Sequence, residues 1–368
     1  MKLFNIFATL FIVFSFQVKG QDCSHADIST LTNPGSSTNS SYLESDGVRN
    51  GPDYQGATIY YPTDISANLG SIVIVPGYQA TQSSIQAWGP YYASHGYVAM
   101  TIGTNNLGDF PDKRAEALLD AIESLKLEHI RAASPLFNRL DTNSFAVSGW
   151  SMGGGGAQLA ANEDSRLKAV VALCPWYPNS NTSTFYHNVP LLILSGQSDQ
   201  VAPPASHADR HYANTPAGNV KLLYEATNGN HSVANTPSGA GNEIGKIALS
   251  WLKLYLSDDS CYCSTLFEEL LPSSTNSSKI VTAISCAQLS IKELNQEEIL
   301  ISPNPANVVI QVNRANSEEL NYKIINSKGK EILNASLQAN QKQIDISGLQ
   351  KGIYFLVTNK TSTKFQVN

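Results

Sequence analysis

Between residues 57 and 256, short apolar runs alternate with longer stretches of helical period. The runs are ATIYYP (57–62), SIVIVPG (71–77), YVAMTI (97–102), SFAVSG (144–149), KAVVALC (168–174), PLLILSG (190–196) and VKLLYEA (220–226). Several are apolar almost without interruption, which predicts strands of a parallel sheet covered on both faces. In the intervening stretch DKRAEALLDAIESLKLEHI, Leu118, Ile122 and Leu125 fall on one helical face. NEIGKIALSWLKLYL does the same with Ile244, Ile247, Trp251 and Tyr255. This alternation predicts an α/β domain with a mostly parallel central sheet.

Past Leu256 the pattern changes. PSSTNSS (272–278) reads as a flexible stretch and SIKELNQEEIL as a linker. From Ile301 onward, short alternating runs are separated by turn signals: NVVIQVN, LNYKIINSKGKEIL, KQIDISGL, GIYFLVTN and TKFQVN. They predict an all-β module of about seventy residues, a small sandwich.

The first residues, MKLFNIFATLFIVFSFQVKGQDC, put Lys2 before an apolar stretch from Leu3 to Phe16. That is short of the roughly 20 residues a spanning helix needs. It predicts a signal peptide over 1–20 with cleavage after Gly20. The expected plan is then a main domain over 21–287, a linker over 288–297 and the β-module over 298–368.

Charged residues make up 15% of the 368 residues and the formal charge is −6. Such a balance argues against nucleic acid or an anionic membrane as partner. Five cysteines suit an oxidising destination. Cys174, inside KAVVALCPW, reads as a buried free thiol. Cys23, Cys261, Cys263 and Cys286 remain, with three pairings open.

Candidate chemistry enters at FAVSGWSMGGGG. Each glycine in a helix costs about 1 kcal/mol relative to alanine, so the four after Met152 give up roughly 3–4 kcal/mol of helix preference. A strand–turn–helix elbow explains them, with G-x-S-x-G at Gly149, Trp150, Ser151, Met152 and Gly153. In such an elbow the serine sits in a strained turn above the sheet. A serine hydroxyl is a weak nucleophile until an imidazole takes its proton and a carboxylate orients that imidazole. In this fold the chain order is serine, acid, histidine. SGQSDQVAP presents Asp199 at the end of one strand, and YEATNGNHSVAN presents His231 after the next. Oxyanion donors are expected from the N–H of Met152 and of Tyr78 in VIVPGYQA. The rivals are weaker. His129 lies on an exposed helix, His95 ends one, His25 and His187 precede strands, and Glu225 is inside its strand. His207 and His211, four apart in HADRH, form a conceivable metal pair, but an ordinary surface helix is the stronger reading.

TIYYP, VPGYQATQSSIQAWGPYYASHGYVAMTI, GWSMGGGG, CPWYP, SDQVAP and NHSVAN, in consistent order over about residues 40–260, resemble the bacterial cutinases and polyethylene terephthalate hydrolases. The resemblance implies a lidless α/β-hydrolase with an open cleft for polyesters or bulky esters. Ser151, Asp199 and His231 fall on that family's triad, Tyr78 and Met152 on its oxyanion positions, and Trp176 on its aromatic clamp. Trp150 and Ser232 stand where actinobacterial cutinases usually carry histidine and phenylalanine, as in the mesophilic plastic-degrading branch. Tyr78, Trp150, Trp176 and Ser232 are the implied substrate contacts. A disulfide known in that branch has no counterpart, because Gly196 and Val233 occupy its positions. The tail, from ISPNPANVVIQV to TKFQVN, looks like the C-terminal sorting module of the Bacteroidetes type IX secretion system. It implies export, to the medium or to the cell surface.

The leading expectation is a secreted, monomeric serine esterase acting on polyester, without metal or cofactor. A general lipase or carboxylesterase for small or medium esters is the second reading. A surface adhesion protein on a hydrolase scaffold is the third, and the complete Ser–Asp–His set argues against it.

Overall fold

The computed structural model describes residues 23–66, 68–284, 286, 300–313, 319–326, 330–339, 341–358 and 362–368. The expected signal peptide and linker lie outside these residues. The chain divides into two compact units, Met1–Ile284 and Ser285–Asn368.

The first unit is built on nine strands: β1 (Asn39–Leu43), β2 (Ala57–Pro62), β3 (Leu69–Val75), β4 (Val98–Ile102), β5 (Leu140–Trp150), β6 (Ala169–Leu173), β7 (Leu191–Gly196), β8 (Lys221–Ala226) and β9 (Ser277–Thr282). They form one sheet in the order β1-β2-β4-β3-β5-β6-β7-β8-β9. The six strands from β4 to β8 run parallel, and β1, β2 and β9 pair antiparallel at the edges. Ile72 to Val75, and all of β6, are fully buried, as strands covered on both faces require. The covering helices are α1 (Trp88–Ser94), α2 (Pro111–Ile130), α3 (Met152–Glu163), α4 (Ala208–Asn214) and α5 (Glu243–Tyr255). Leu118, Ile122 and Leu125 of α2 and Ile244, Ile247 and Trp251 of α5 are buried, as the periodicity predicts.

Two edge strands depart from the sequence expectation. Neither NSSYL (β1) nor SSKIVT (β9) carries an apolar run. The second begins inside the stretch read as flexible and pairs with β8 from Leu222↔Thr282 to Ala226↔Ser277. An edge strand takes its hydrogen bonds from one neighbour and leaves the other side in water, so its own composition stays polar. Cys23 and Cys261 form a disulfide, and Cys263 and Cys286 are also disulfide-bonded. Cys174 is free and buried. Among the described residues no helix is long and apolar enough to cross a membrane.

The second unit holds two antiparallel sheets. β10 (Leu300–Ser302), β11 (Val309–Asn313) and β14 (Gln343–Asp345) form one, in the order β10-β11-β14. β12 (Leu320–Asn326), β13 (Glu331–Leu337), β15 (Gly352–Val357) and β16 (Ser362–Val367) form the other, in the order β13-β12-β15-β16. Leu320, Tyr322 and Ile324 alternate inward from β12 onto a core with Ile310, Leu356 and Phe365.

Candidate active site

Strand β5 hands over to helix α3 at Ser151, whose backbone is held at φ 58° and ψ −119°. The strain is local and the glycines around it serve close approach. A Cβ on Gly149 would stand 2.2 Å from the Gly153 carbonyl oxygen, and one on Gly153 would stand 2.5 Å from that of Val75. Helix α3 can therefore start this close to the sheet only without side chains there, which outweighs helix preference. The Ser151 N–H donates to the Leu173 carbonyl at 2.8 Å, and its own carbonyl accepts from Trp176 N–H at 2.8 Å. The elbow is thus tied to the end of β6 on both sides.

The other two expected residues come from the ends of β7 and β8. Asp199 is almost fully buried. Its Oδ1 accepts the N–H groups of Val201 and Ala202 at 2.9 and 2.8 Å. Its Oδ2 stands 2.7 Å from His231 Nδ1. Burial would raise the Asp199 pKa, but the bonds from His231, Ala202 and Val201 outweigh it and hold the carboxyl below the usual carboxylate range. With Asp199 ionised, Nδ1 is the nitrogen that carries the proton, leaving Nε2 as an acceptor. Trp150, next to the serine, stands 5.0 Å from the His231 ring between centroids and donates its indole N–H to the His231 carbonyl at 2.8 Å.

The loop after β3 passes over the serine. A Cβ on Gly77 would be 2.8 Å from Ser151 Cβ, so the chain crosses here in contact with the elbow. Tyr78 follows and is half exposed, while Met152 opens α3 and is buried. Ser232 is exposed beside His231. Trp176 is half-buried, its ring stacked on His207 at 5.6 Å and met edge-on by Phe110 at 6.3 Å. Phe110, against the Trp176 ring, and Val201, next to the Asp199 turn, are exposed.

An elbow serine whose neighbour Trp150 is bonded to the histidine of an Asp–His pair, with all three at the carboxyl ends of parallel strands, is the arrangement expected of an α/β-hydrolase. The family described as PET hydrolase-like matches residues 18–285. The chain belongs to the PET hydrolase-like family. A bis(hydroxyethyl) terephthalate hydrolase of Streptomyces coelicolor is 39% identical over 210 residues, which is 57% of this chain and 64% of the relative. Cutinase 1 of Thermobifida cellulosilytica is 39% identical over 215 residues, covering 58% of this chain and 78% of the relative. A cutinase of Thermobifida fusca is 39% identical over the same length, with 68% of the relative covered. Residues 300–367 match the secretion system C-terminal sorting domain. This PET hydrolase-like chain is accordingly a secreted or cell-surface carboxylic ester hydrolase.

Several residues of this hydrolase sit where the local sequence pattern does not place them. HADRH is no plain surface helix. His211 is fully buried against Phe185 and its Nδ1 faces the Gln158 amide. Burial pushes its pKa down to about 3. His207 stacks on Trp176, and the two histidines join no metal-holding cluster among the described residues. His25 lies in a short 3₁₀ turn and pairs with Asp259 at 2.9 Å rather than leading into a strand. Arg114 gave no signal beyond a charge in a helical run, yet it is fully buried. Its guanidinium donates to the carbonyls of Pro76 and Leu107 at 2.9 and 3.2 Å, and its Nε to that of Asp109 at 3.0 Å. It therefore clamps the loop over the serine to the loop that carries Phe110. Burial lowers its pKa to about 10, which still leaves it charged at neutral pH.

Proposed function

We propose that the chain hydrolyses the ester bonds of polyesters, cutin-like or terephthalate-based, through an acyl-enzyme on Ser151. The 2.7 Å contact between His231 Nδ1 and Asp199 Oδ2, in a loop that Trp150 ties to the Ser151 elbow, carries this reading. With Nδ1–H committed to the carboxylate, Nε2 takes the proton of Ser151 Oγ as that oxygen attacks the ester carbonyl. The oxygen of the tetrahedral species accepts the N–H groups of Tyr78 and Met152. His231 then returns the proton to the departing alcohol. Water repeats the attack on the acyl-enzyme, giving its proton to His231, and the acid leaves as Ser151 is restored.

The substrate side rests on the rings around the serine. Tyr78, Trp150 and Trp176, with Ser232 at the rim, offer an open and largely aromatic surface. Such a surface suits a polymer segment better than a small ester, and the terephthalate ester and cutinase names of the relatives support the same class. The C-terminal unit serves as the address for the type IX secretion route, and the working form is a monomer without metal or cofactor.

Purified protein and its Ser151→Ala variant, given amorphous polyester film and soluble short- and medium-chain esters, test the assignment. Release from both kinds of substrate is expected, with none from the variant. Activity on soluble esters with the film untouched would favour a general carboxylesterase, and activity retained in the variant would remove the assignment.

A further inference from the structure

Asp199 and His231 lie on separate loops, after β7 and after β8. Part of the junction is backbone packing. Ser198 N–H donates to the Gly229 carbonyl at 2.8 Å, and a Cβ on Gly196 would stand 2.4 Å from that same oxygen. The two loops approach so closely here that no side chain fits at position 196.

A third element enters the same junction. Cys174, the first residue after β6, is buried, and its Sγ, one Asp199 carboxylate oxygen and one His231 ring nitrogen all lie within 4.8 Å of one another. Backbone N–H groups of Gly196, the last residue of β7 before the acid loop, and Ala234, from the histidine loop, face the sulfur. Ala234 is held on its other side by Trp88, whose indole N–H donates to its carbonyl at 3.1 Å. The Cys174 N–H donates to the Leu194 carbonyl at 2.7 Å. The residue has φ 41°, in the left-handed region that favours glycine. Cys174 thus sits on a strained backbone position at the end of β6. Burial pushes the thiol pKa up, so the group stays S–H at neutral pH and is no competing nucleophile.

We infer that Cys174 is a positioning residue for the acid–base pair, its sulfur setting the Asp199 turn against the His231 loop. This rests on the reading of Ser151, Asp199 and His231 given above. The polarisable sulfur, on its long C–S bond, fills the space between two loops and presents an acceptor to an N–H from each.

The full chain is compared with Cys174→Gly, Cys174→Ala and Cys174→Ser on a soluble short-chain ester, well below each variant's melting temperature. Glycine suits the backbone at this position, so Cys174→Gly removes the sulfur without adding strain even if the alanine variant folds poorly. A small misplacement of a catalytic group costs a large factor, so kcat should fall about tenfold in the glycine and alanine variants with KM unchanged. Cys174→Ser, which restores an acceptor, should recover most of that loss. Unchanged kcat in Cys174→Gly would overturn the inference. So would equal losses in all three variants, which would make the sulfur mere volume. Ser151→Ala, run alongside, separates the two claims: an active Ser151→Ala overturns the mechanism, whereas an inactive one beside a fully active Cys174→Gly overturns the role of Cys174 alone.

Discussion

Trp150 and His231, 81 positions apart, are joined by a 2.8 Å hydrogen bond from the indole N–H to the histidine carbonyl. The residue before the proposed nucleophile thus holds the backbone of the proposed base, while its ring lies at 43° to the imidazole. Trp150→Phe keeps an aromatic ring and removes the donor. A net hydrogen bond is about 0.5–1.5 kcal/mol, so kcat on a soluble ester should fall about two- to tenfold if the bond is felt in the transition state. Steady-state kinetics check this, and an unchanged kcat would confine Trp150 to substrate contact.

Trp176 tests the polymer reading. Its ring is fixed by His207 on one face and Phe110 at its edge, so it is set in place before substrate arrives. An aromatic pair adds about 0.5–1.5 kcal/mol beyond the area it buries. A short acyl chain does not reach the ring. Trp176→Ala should therefore lower release from polyester film several-fold more than turnover of a short soluble ester. Equal losses on both substrates would place the ring outside the polymer path.

Acid stability should be governed by two buried histidines. Burial pushes the pKa of His187 down to about 4 and that of His211 to about 3. Unfolding returns both to the ordinary value of about 6.5, so between these limits the unfolded chain binds protons that the folded chain does not. Stability is therefore complete above pH of about 6.5 and falls as the pH drops, by about 1.4 kcal/mol per pH unit for each histidine. The melting temperature should fall steeply from pH 7 to 5. His211→Asn, which keeps an acceptor for Gln158, should make that fall shallower. A slope equal to that of the unaltered protein would remove His211 from the account.

The sorting unit should be dispensable for turnover. A chain ending at Ala287 keeps β9 and the disulfide-bonded Cys286, and should retain kcat on soluble esters. A chain ending at Ile284 lacks the disulfide-bonded Cys286, a loss of about 2–4 kcal/mol, and should melt at a lower temperature. Loss of the fold in the longer chain would show that the hydrolase needs the residues beyond.

Much of the molecule was legible along the chain because its signals are local. Uninterrupted apolar runs mark strands buried on both faces, and the seven read from sequence all lie in the sheet. Five glycines around one serine mark a turn too tight for side chains. Asp199 and His231 follow strand ends, which in a parallel sheet of this connectivity all open on one edge. What remained hidden lies in contacts between segments that the local pattern does not register. β1 and β9 are polar because only one of their edges is paired, so their existence depends on β2 and β8. His211 looked solvent-exposed because HADRH is polar, yet Phe185 and Gln158 close over it. Arg114 is an ordinary helical charge until Pro76, Leu107 and Asp109 turn their carbonyls toward it. The Trp150–His231 bond and the approach of Cys174 to Asp199 depend on strand order, which sets β5, β6, β7 and β8 side by side. Periodicity reports how each segment meets water and core, whereas hydrogen-bond partners are chosen only once the strands are aligned.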